Sequence, residues 1–402
     1  MNPLRILTIA SWAWPDAEGG SFRIATEVAM RLVGRGHSIH LLTARTDPSL
    51  PENEMLNGLR VHRYSIARRR GLSLYLSFRH SVREAIHRLS AAERFNVAHV
   101  HHLFSAHGAL GALRDTPILY TCHMPYFLEH LDNAVWQRGS AGRTRRLSAA
   151  VLRRMDGQIL RSANRVVVLS QFVLGLLQQY YPQCVLKAAV VPGAVDTERF
   201  RPGDRLQARR CFRLPPDAPI VLTVRRLEPR MGLENLLDAW ATVRRAHPQA
   251  RLVIAGRGSL REQLRTHADR LGLGSAVVWA GFVAEEDLPA LYTAADLFVL
   301  PSRALEGFGL ATLEALACGL PVLGTDVGAT GEIIRPLEDD LMIPSPQPDT
   351  IATGILRFFA RRDQPALSER CRRYVVERYA WPDKINTYEH LLSEIAAKEK
   401  PH

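Results

Sequence analysis

The sequence is poor in the features that mark secreted, zinc-binding or fibrous proteins. Its 5 cysteines show no Cys-x-x-Cys spacing and no close pairing with histidines, so neither a disulfide framework nor a zinc site is indicated. We expect reduced, structural thiols and a cytoplasmic location. Repeats and low-complexity tracts are also missing, and a composition of 47% hydrophobic and 23% charged residues excludes disorder, collagen and coiled coil.

Long uncharged runs are scarce, and two apolar stretches have to be weighed as membrane signals. Residues 6–14 follow Arg5 without a small-residue cleavage pattern, so they are predicted to form a first strand rather than a leader. Residues 166–186 carry no charge over 21 positions, which is long enough for a bilayer. This run contains Pro182 and four glutamines, which favours a strand followed by a helix and leaves membrane insertion as the minor alternative.

Lysine is scarce, with four in the chain, yet arginine makes the protein basic, with a formal charge of +12 at pH 7. Residues 1–190 hold 24 Lys and Arg against 12 Asp and Glu, whereas residues 191–402 hold 28 of each. The basic first half predicts an acidic partner there, such as a phosphate-bearing acceptor, an anionic membrane surface or nucleic acid. A solvated basic surface without a partner is the alternative.

Short apolar strands alternate with amphipathic helices, which predicts an α/β fold with doubly wound parallel sheets. The pattern begins with a strand at 6–10 and a helix at 22–33, and it restarts after residue 200 with a strand at 220–224 and a helix at 233–246. A chain of 402 residues fits two domains of such size. Proline–glycine and proline–proline pairs place the boundary within 191–217. Ligands of such sheets bind beyond the carboxyl ends of the strands, so a cleft between two facing domains is expected to hold the substrates.

The most informative segment is residues 300–332, which read LPSRALEGFGLATLEALACGLPVLGTDVGATGE. A strand is predicted to end at Leu300, a glycine-containing loop carries Glu306, and a helix is predicted to begin near Leu310. The start of that helix and the glycines beside it suit a pyrophosphate. Glu306 and Glu314 can each accept hydrogen bonds from vicinal hydroxyls, the first from a sugar and the second from a ribose. The alternative is a strand, loop and helix that need the glycines for packing alone.

This segment resembles the retaining glycosyltransferases of family 4, also called glycosyl transferases group 1, which have the GT-B fold. Glu306 and Glu314 match the two glutamates of the family's E-x7-E motif, within a PS-x-x-x-EGFGL…LEA-x-A-x-G-x-PV frame. The resemblance covers nearly the whole chain. Its other segments, in order, are Gly19-Gly20, Arg35-Gly36-His37, YTCH ending at His123, VVVLS ending at Ser170, VPGAVD at 191–196, AGRG at 255–258 and a closing AWPDKINTYEHL.

The resemblance implies two Rossmann-like domains facing across a cleft. Residues 1–197, completed by a C-terminal helix at about 378–402, would bind the acceptor, and residues 198–377 would bind the nucleotide sugar. Catalytic roles are implied for His123, Arg226 and Glu306, with His123 in an orienting or proton-handling role or in a purely structural one. The expected donor-binding residues are Gly19, Gly20, Arg225, Arg226, Arg230, Met231, Arg257, Glu306, Gly307, Phe308, Gly309, Leu310 and Glu314.

One family element departs from its pattern. The family segment Gly-Arg-Leu-x-x-x-Lys-Gly supplies an arginine and a lysine to the diphosphate, and residues 225–232 read RRLEPRMG instead. Arg226 matches the arginine, but Met231 occupies the lysine position. A single donor to the leaving group can contribute about 3 kcal/mol. We therefore expect Arg225 or Arg230 to take over this role, and the alternative is a slow or inactive relative.

The sequence also lacks an Asp-x-Asp motif, which would hold a divalent ion against a donor diphosphate. Cationic side chains and helix termini are then expected to neutralise the phosphates, so no metal and no other cofactor is predicted beside the nucleotide sugar. A histidine-rich stretch could suggest a metal site, but its spacing favours satisfied loop or packing histidines. These residues are His99, His101, His102 and His107.

The resulting prediction is a retaining hexosyltransferase that uses a UDP- or GDP-type sugar and a hydroxyl acceptor. The basic first half, including Arg68–Arg70 and the amphipathic stretch 138–165, favours a lipid-linked, phosphate-bearing or glycan acceptor of cell-surface polysaccharide or glycolipid assembly. It also suggests peripheral contact with the inner face of a membrane. The alternative for 138–165 is a helix packed on the core with a charged outer face.

Two other functions are compatible with the sequence: glycosylation of a soluble small molecule, and a sugar-nucleotide-binding protein with weak catalysis. A dinucleotide-dependent oxidoreductase is disfavoured because the candidate fingerprint at 256–261 lacks its third glycine. Nucleic acid is not expected as a partner because the sequence contains no recognisable binding module.

Overall fold

The computed structural model describes residues 2–17, 19–67, 72–138 and 142–398. The chain forms two compact units, the first from Met1–Leu131, Ala141–Pro192 and Pro382–His402, and the second from Asp132–Ser140 and Gly193–Trp381. Each unit is built on a sheet of parallel strands, which confirms the α/β fold class predicted from the alternation of strands and helices.

The first unit contains an eight-stranded sheet in the order β3-β4-β2-β1-β5-β6-β7-β8. Neighbouring strands are parallel except β3 and β4, which are antiparallel. β5 and β6 are buried along their whole length, as expected for parallel strands covered on both faces. The strands are β1 (Arg5–Ile9), β2 (Ser38–Ala44), β3 (Asn53–Leu56), β4 (Leu59–Tyr64), β5 (Val97–His101), β6 (Ile118–Cys122), β7 (Arg165–Val168) and β8 (Ala188–Val190).

The helices up to Pro192 follow the strands of this sheet. They are α1 (Gly20–Val33), α2 (Leu72–Ala92), α3 (Leu103–Ala109), α4 (Tyr126–Arg138), α5 (Arg143–Ser162) and α6 (Gln171–Tyr180), with a 3₁₀ turn at Pro182–Lys187. The uncharged run 166–186 therefore forms a strand followed by a short helix, as predicted. Within the described ranges, no helix is both long enough and apolar enough to span a bilayer.

The second unit contains a six-stranded parallel sheet in the order β11-β10-β9-β12-β13-β14. Its strands are β9 (Ile220–Val224), β10 (Arg251–Ala255), β11 (Val277–Gly281), β12 (Leu297–Leu300), β13 (Val322–Thr325) and β14 (Met342–Ile343). Its helices are α7 (Arg205–Cys211), α8 (Leu233–Ala246), α9 (Arg261–Arg270), α10 (Leu288–Ala294), α11 (Leu310–Ala317), α12 (Thr330–Ile334), α13 (Pro348–Phe359) and α14 (Gln364–Tyr379). In α8 the buried residues Leu233, Leu236, Leu237, Trp240 and Val243 recur at helical spacing, which fixes the face that packs on the sheet.

The last helix, α15 (Trp381–Lys398), belongs to the first unit from Pro382 onward. Its Tyr388 is buried with the ring centroid 5.5 Å from that of His99, and its Glu389 lies 3.1 Å from His37 Nε2. Between the main parts of the chain, the units meet at 192/193 and 381/382, within five residues of the predicted 197/198 and of the predicted helix start at about 378. Val195 and Ala380, which form a parallel bridge, both belong to the second unit.

Candidate active site

The candidate donor site of the second unit consists of loops that follow β9, β10, β12 and β13 at the carboxyl edge of the sheet. Two glycines let these loops pack closely. A Cβ at Gly232 would lie 1.8 Å from the carbonyl oxygen of Pro301, and a Cβ at Gly328 would lie 2.2 Å from that of Glu306. Both glycines have positive φ, 73° and 61°, which side chains disfavour. The loops after β9 and β13 therefore hold the loop of Glu306 between them.

Glu306 lies at the centre of these loops. Its Oε2 accepts hydrogen bonds from Ser302 Oγ at 2.7 Å and from Arg225 Nη2 at 2.9 Å. Burial alone would raise the pKa of Glu306, but the charges of Arg225 and Arg230 and these hydrogen bonds hold it below its ordinary value. Glu306 is therefore ionised, and its Oε1 has no hydrogen-bond donor among the described residues, which leaves that oxygen for a ligand hydroxyl.

Three arginines surround this carboxylate. Arg225 is buried, Arg226 is exposed, and Arg230 Nη1 donates to the carbonyl oxygen of Leu305 at 2.8 Å. Burial lowers the pKa of the Arg225 guanidinium, while the charge of Glu306 raises it and those of Arg230 and Arg226 lower it further. The charges of Arg225 and Arg230 act on Glu306, and clustered cations at a sheet edge attract an anion.

The segment Gly307–Leu310 leads from Glu306 into α11. Gly309 precedes the helix with φ 88°, and the amide groups of Phe308, Gly309 and Leu310 donate to no other part of the chain that the structure describes. Phe308 is buried, and a Cβ at Gly193 would come within 2.6 Å of its ring. The buried ring anchors the loop while its amides stay available, and such an arrangement can bind a phosphate.

Glu314 lies on the buried side of α11. It is buried, and its Oε2 accepts a hydrogen bond from the Tyr292 hydroxyl at 2.7 Å. A tyrosine that fixes one carboxylate oxygen orients the other, which is what recognition of a ribose diol requires.

Arg257 occupies the loop after β10. Its guanidinium lies 4.4 Å from the ring centroid of Phe282, which follows β11 and is partly exposed. A flat cation and an aromatic ring stacked at the sheet edge offer apolar and cationic surface to a planar ligand group. The structure brings Arg225, Arg230, Met231 and Glu306 together. It places Arg257 in the loop that follows the neighbouring strand β10.

His123 lies in the first unit, directly after β6, within a cluster of histidines. Its Nε2 is 3.2 Å from Nδ1 of His101, and its ring stacks on that of His102 with centroids 5.2 Å apart. Burial lowers the pKa of His123 to about 4, so the imidazole is neutral at physiological pH. A neutral histidine can donate or accept one proton through a hydrogen bond, as the predicted role requires.

The neighbouring histidines pack as predicted, but they are not fully satisfied. His99 Nε2 pairs with Thr121 Oγ1 at 2.8 Å, and the Ser11 amide donates to His102 Nδ1 at 3.3 Å. One further ring nitrogen of each of His99, His101 and His102 is buried without a partner in the described chain. No group of three or more His, Cys, Asp or Glu side chains among the described residues is placed to hold a metal ion. The metal-independent reaction stays a prediction.

Gly20 is the first residue of α1, and Gly19 precedes it with φ 149°. The donor-binding role of both glycines stays a prediction. Arg68–Arg70 lie outside the described residues.

Sequence reasoning missed three side chains of the site. Ser302 stands in the quoted family frame at four residues before Glu306, so its spacing could have identified it. Tyr292 and Phe282 come from α10 and from the end of β11. No motif marks them, and three-dimensional packing alone brings them to the site.

Comparison with known proteins identifies the class of protein to which this chain belongs. The model described as Glycosyltransferase Family 4 matches residues 18–199, and the model described as Glycosyl transferases group 1 matches residues 204–378. D-inositol 3-phosphate glycosyltransferase of Segniliparus rotundus is 30% identical over 396 residues, which cover 93% of this chain and 85% of the relative. GDP-mannose-dependent alpha-(1-6)-phosphatidylinositol monomannoside mannosyltransferase of Mycobacterium tuberculosis is 34% identical over 200 residues, 48% of this chain and 52% of the relative.

Among solved structures, sucrose-phosphate synthase from Thermosynechococcus elongatus superposes with a TM-score of 0.85 at 24% identity, over 98% of this chain and 100% of that one. The fold of both sheets is thus that of the GT-B glycosyltransferases. The chain belongs to the glycosyl transferases group 1, with its first half in glycosyltransferase family 4, and it is a glycosyltransferase.

Proposed function

We propose that the protein transfers a hexosyl-type unit, with retention of configuration, from a UDP- or GDP-type sugar to a hydroxyl of a phosphate-bearing or lipid-linked acceptor. The observation that carries this proposal is the arrangement around Glu306. Arg225 donates to this carboxylate and has further buried N–H groups without an acceptor among the described residues, and the charge of Arg230 also acts on Glu306, beside amides at the start of a helix. A diphosphate with a sugar attached fits both halves of this arrangement: its charge suits the arginines, and its hydroxyls suit Glu306.

The reaction breaks the bond between the anomeric carbon and the β-phosphate oxygen. Positive charge develops on the sugar and negative charge on the departing nucleoside diphosphate, and Arg225, Arg226 and Arg230 stabilise the latter. The acceptor oxygen attacks from the face that the phosphate leaves, and its proton passes to a phosphate oxygen. Within the second unit, Glu306 orients the sugar through its hydroxyls and Glu314 holds the ribose. For neutral His123 of the first unit, the orienting role is the one that the family resemblance implies. No divalent metal takes part in this scheme.

Two relatives support the proposed class of acceptor. Their names specify D-inositol 3-phosphate and a phosphatidylinositol monomannoside, and both acceptors carry phosphate. The surplus of arginine in residues 1–190 agrees with an anionic acceptor on the first unit.

Contact with the cytoplasmic face of a membrane is part of the proposal. Helix α5 turns Leu147 and Val151 outward, with exposed fractions of 70% and 55%. Arg143, Arg146 and Arg154 are exposed on the same helix. We call these five residues the α5 outer face. Apolar side chains between arginines are typical of helices that lie on anionic lipid.

The proposal is tested by thermal unfolding in the presence of UDP, GDP, ADP and their sugar conjugates, each with EDTA and with Mg²⁺. One nucleotide series is expected to stabilise the protein equally in both conditions, by about 2.7 kcal/mol at 100 times its dissociation constant. Glu314→Gln is expected to lose most of this stabilisation because the ribose loses its carboxylate, while the exposed control Glu369→Gln keeps it. If no nucleotide stabilises the native protein, the proposed donor site is wrong.

A further inference from the structure

Arg225 has more hydrogen-bonding capacity than the protein satisfies. Its side chain is 6% exposed, and Nη2 lies 2.9 Å from Glu306 Oε2 and 2.9 Å from Met231 Sδ. Its Nε and Nη1 are buried and have no acceptor in the part of the chain that the structure describes. Buried donors are paired in folded proteins almost without exception. These two nitrogens, with three N–H groups between them, therefore indicate a ligand that brings acceptor oxygens to this point.

The charges at this point identify the ligand's chemistry. Arg225, Arg226 and Arg230 influence one another electrostatically, and the charge of Glu306 counters that of Arg225. A guanidinium with free N–H groups on one edge suits phosphate oxygens, and a diphosphate supplies both the oxygens and two negative charges.

Met231 explains why the guanidinium can occupy this position. The Met231 side chain is buried, and its sulfur touches the guanidinium. The following residue, Gly232, packs directly against the carbonyl of Pro301, where no larger side chain fits. Because the side chain at 231 is buried against Arg225, a lysine there would place a second buried cation against the first. A neutral, polarizable side chain at 231 removes this repulsion.

We propose that Arg225 supplies the cation that stabilises the leaving diphosphate, a role for which the resembled family uses a lysine at the position of Met231. Residues 225 and 231 then form a coupled pair, in which one of the two side chains is cationic and the other is neutral. This inference rests on the proposed function and adds the residue that neutralises the diphosphate. Because Nη2 also holds Glu306 Oε2, Arg225 links the phosphate site to the carboxylate that orients the sugar.

A double-mutant cycle that moves the positive charge from position 225 to position 231 tests the coupling. The variants are Arg225→Met, Met231→Lys and the double variant, and the readout is the dissociation constant of the nucleoside diphosphate that binds the native protein, measured by calorimetry. Arg225→Met is expected to weaken binding about 10- to 100-fold, because hydrogen bonds to a charged group are lost. Met231→Lys weakens binding in the native background and restores at least about tenfold in the Arg225→Met background.

The same cycle with Arg230→Met in place of Arg225→Met shows which of the two arginines acts as the leaving-group cation. Met231→Lys is expected to rescue Arg225→Met and not Arg230→Met, because Arg230 donates to the Leu305 carbonyl rather than to the neighbourhood of Met231. Melting of each variant without nucleotide establishes that it is folded. If folding fails for Arg225→Met, Arg225→Gln takes its place with the same expected pattern.

Additive effects of the two substitutions, or rescue of Arg230→Met in place of Arg225→Met, would overturn the inference and leave the proposed function intact. Absence of nucleoside diphosphate binding by the native protein would overturn both.

Discussion

Asp156 shows how the fold sets the charge of a single residue close to the predicted catalytic histidine. Its carboxyl group is buried, and Oδ2 accepts a hydrogen bond from the Phe127 amide at 3.4 Å, four residues after His123. Burial raises the pKa of Asp156 to about 8, although the amides of Phe127 and Tyr126 act in the opposite direction. The group is therefore mostly protonated at pH 7, and it holds the start of α4 as a neutral acid.

This raised pKa predicts a specific pH dependence of stability. Between pH 3.8 and about 8 the folded protein keeps a proton on Asp156 that the unfolded chain has lost. The contribution of that proton is complete below the unfolded pKa and disappears as the pH rises through the folded pKa. The free energy of unfolding of the native protein, relative to that of Asp156→Asn, is expected to decrease from pH 5.5 to 8.5 in chemical denaturation.

The exposed Asp115→Asn, in the same unit, is the matched control and is expected to show no such trend relative to the native protein. Parallel stability curves for the native protein and Asp156→Asn would mean that Asp156 is ionised in the folded state.

At the scale of secondary-structure elements, α5 separates two predictions made for the stretch 138–165. Met155 and Ile159 face the core, as a packed helix requires, whereas Leu147 and Val151 point to solvent among arginines. The apolar residues of this stretch therefore form two sets, one packed on the core and one exposed, and Ala149 between Leu147 and Val151 is already buried.

The α5 outer face predicts binding to anionic vesicles. We expect the protein to float with vesicles containing phosphatidylglycerol and not with phosphatidylcholine alone, since each arginine near such a surface contributes about 1 kcal/mol. Leu147→Ser/Val151→Ser is expected to weaken this binding about tenfold or more, because the loss of two buried aliphatic side chains exceeds about 1.4 kcal/mol. Leu186→Ser is the control, because Leu186 is 93% exposed in the same unit and lies outside this face. Equal loss in both variants would contradict a membrane role for α5.

Periodicity predicted the buried parallel strands well, and β9 and α8 have the bounds that the apolar pattern indicates. The hairpin of β3 and β4 was missed. β3 is half exposed and reads NEML, so its hydrophobic signal is weak. The sequence did contain a turn signal, Asn57-Gly58, whose φ angles of 49° and 84° are those of a tight hairpin turn.

At the scale of the whole molecule, the order of motifs predicted the family and the positions of Glu306 and Glu314. It could not predict how Arg225 is used, because the choice between Arg225 and Arg230 depends on which side chain contacts Glu306, and this contact joins residues 81 positions apart. It also could not predict Tyr292, which reaches Glu314 from a different helix. The spacing of residues within one motif does not indicate which residues of distant elements will contact it.

The central claim is that this site turns over a nucleotide sugar. The most direct measurement is ³¹P nuclear magnetic resonance of the native protein with each stabilising nucleotide sugar and a phosphate-bearing acceptor, in the presence of EDTA. We predict conversion of one nucleotide sugar to its nucleoside diphosphate, with a rate at least about 100-fold lower in Glu306→Gln. A native protein that binds the nucleotide sugar and leaves it intact with every acceptor offered, or a Glu306→Gln variant as fast as the native protein, would contradict the account.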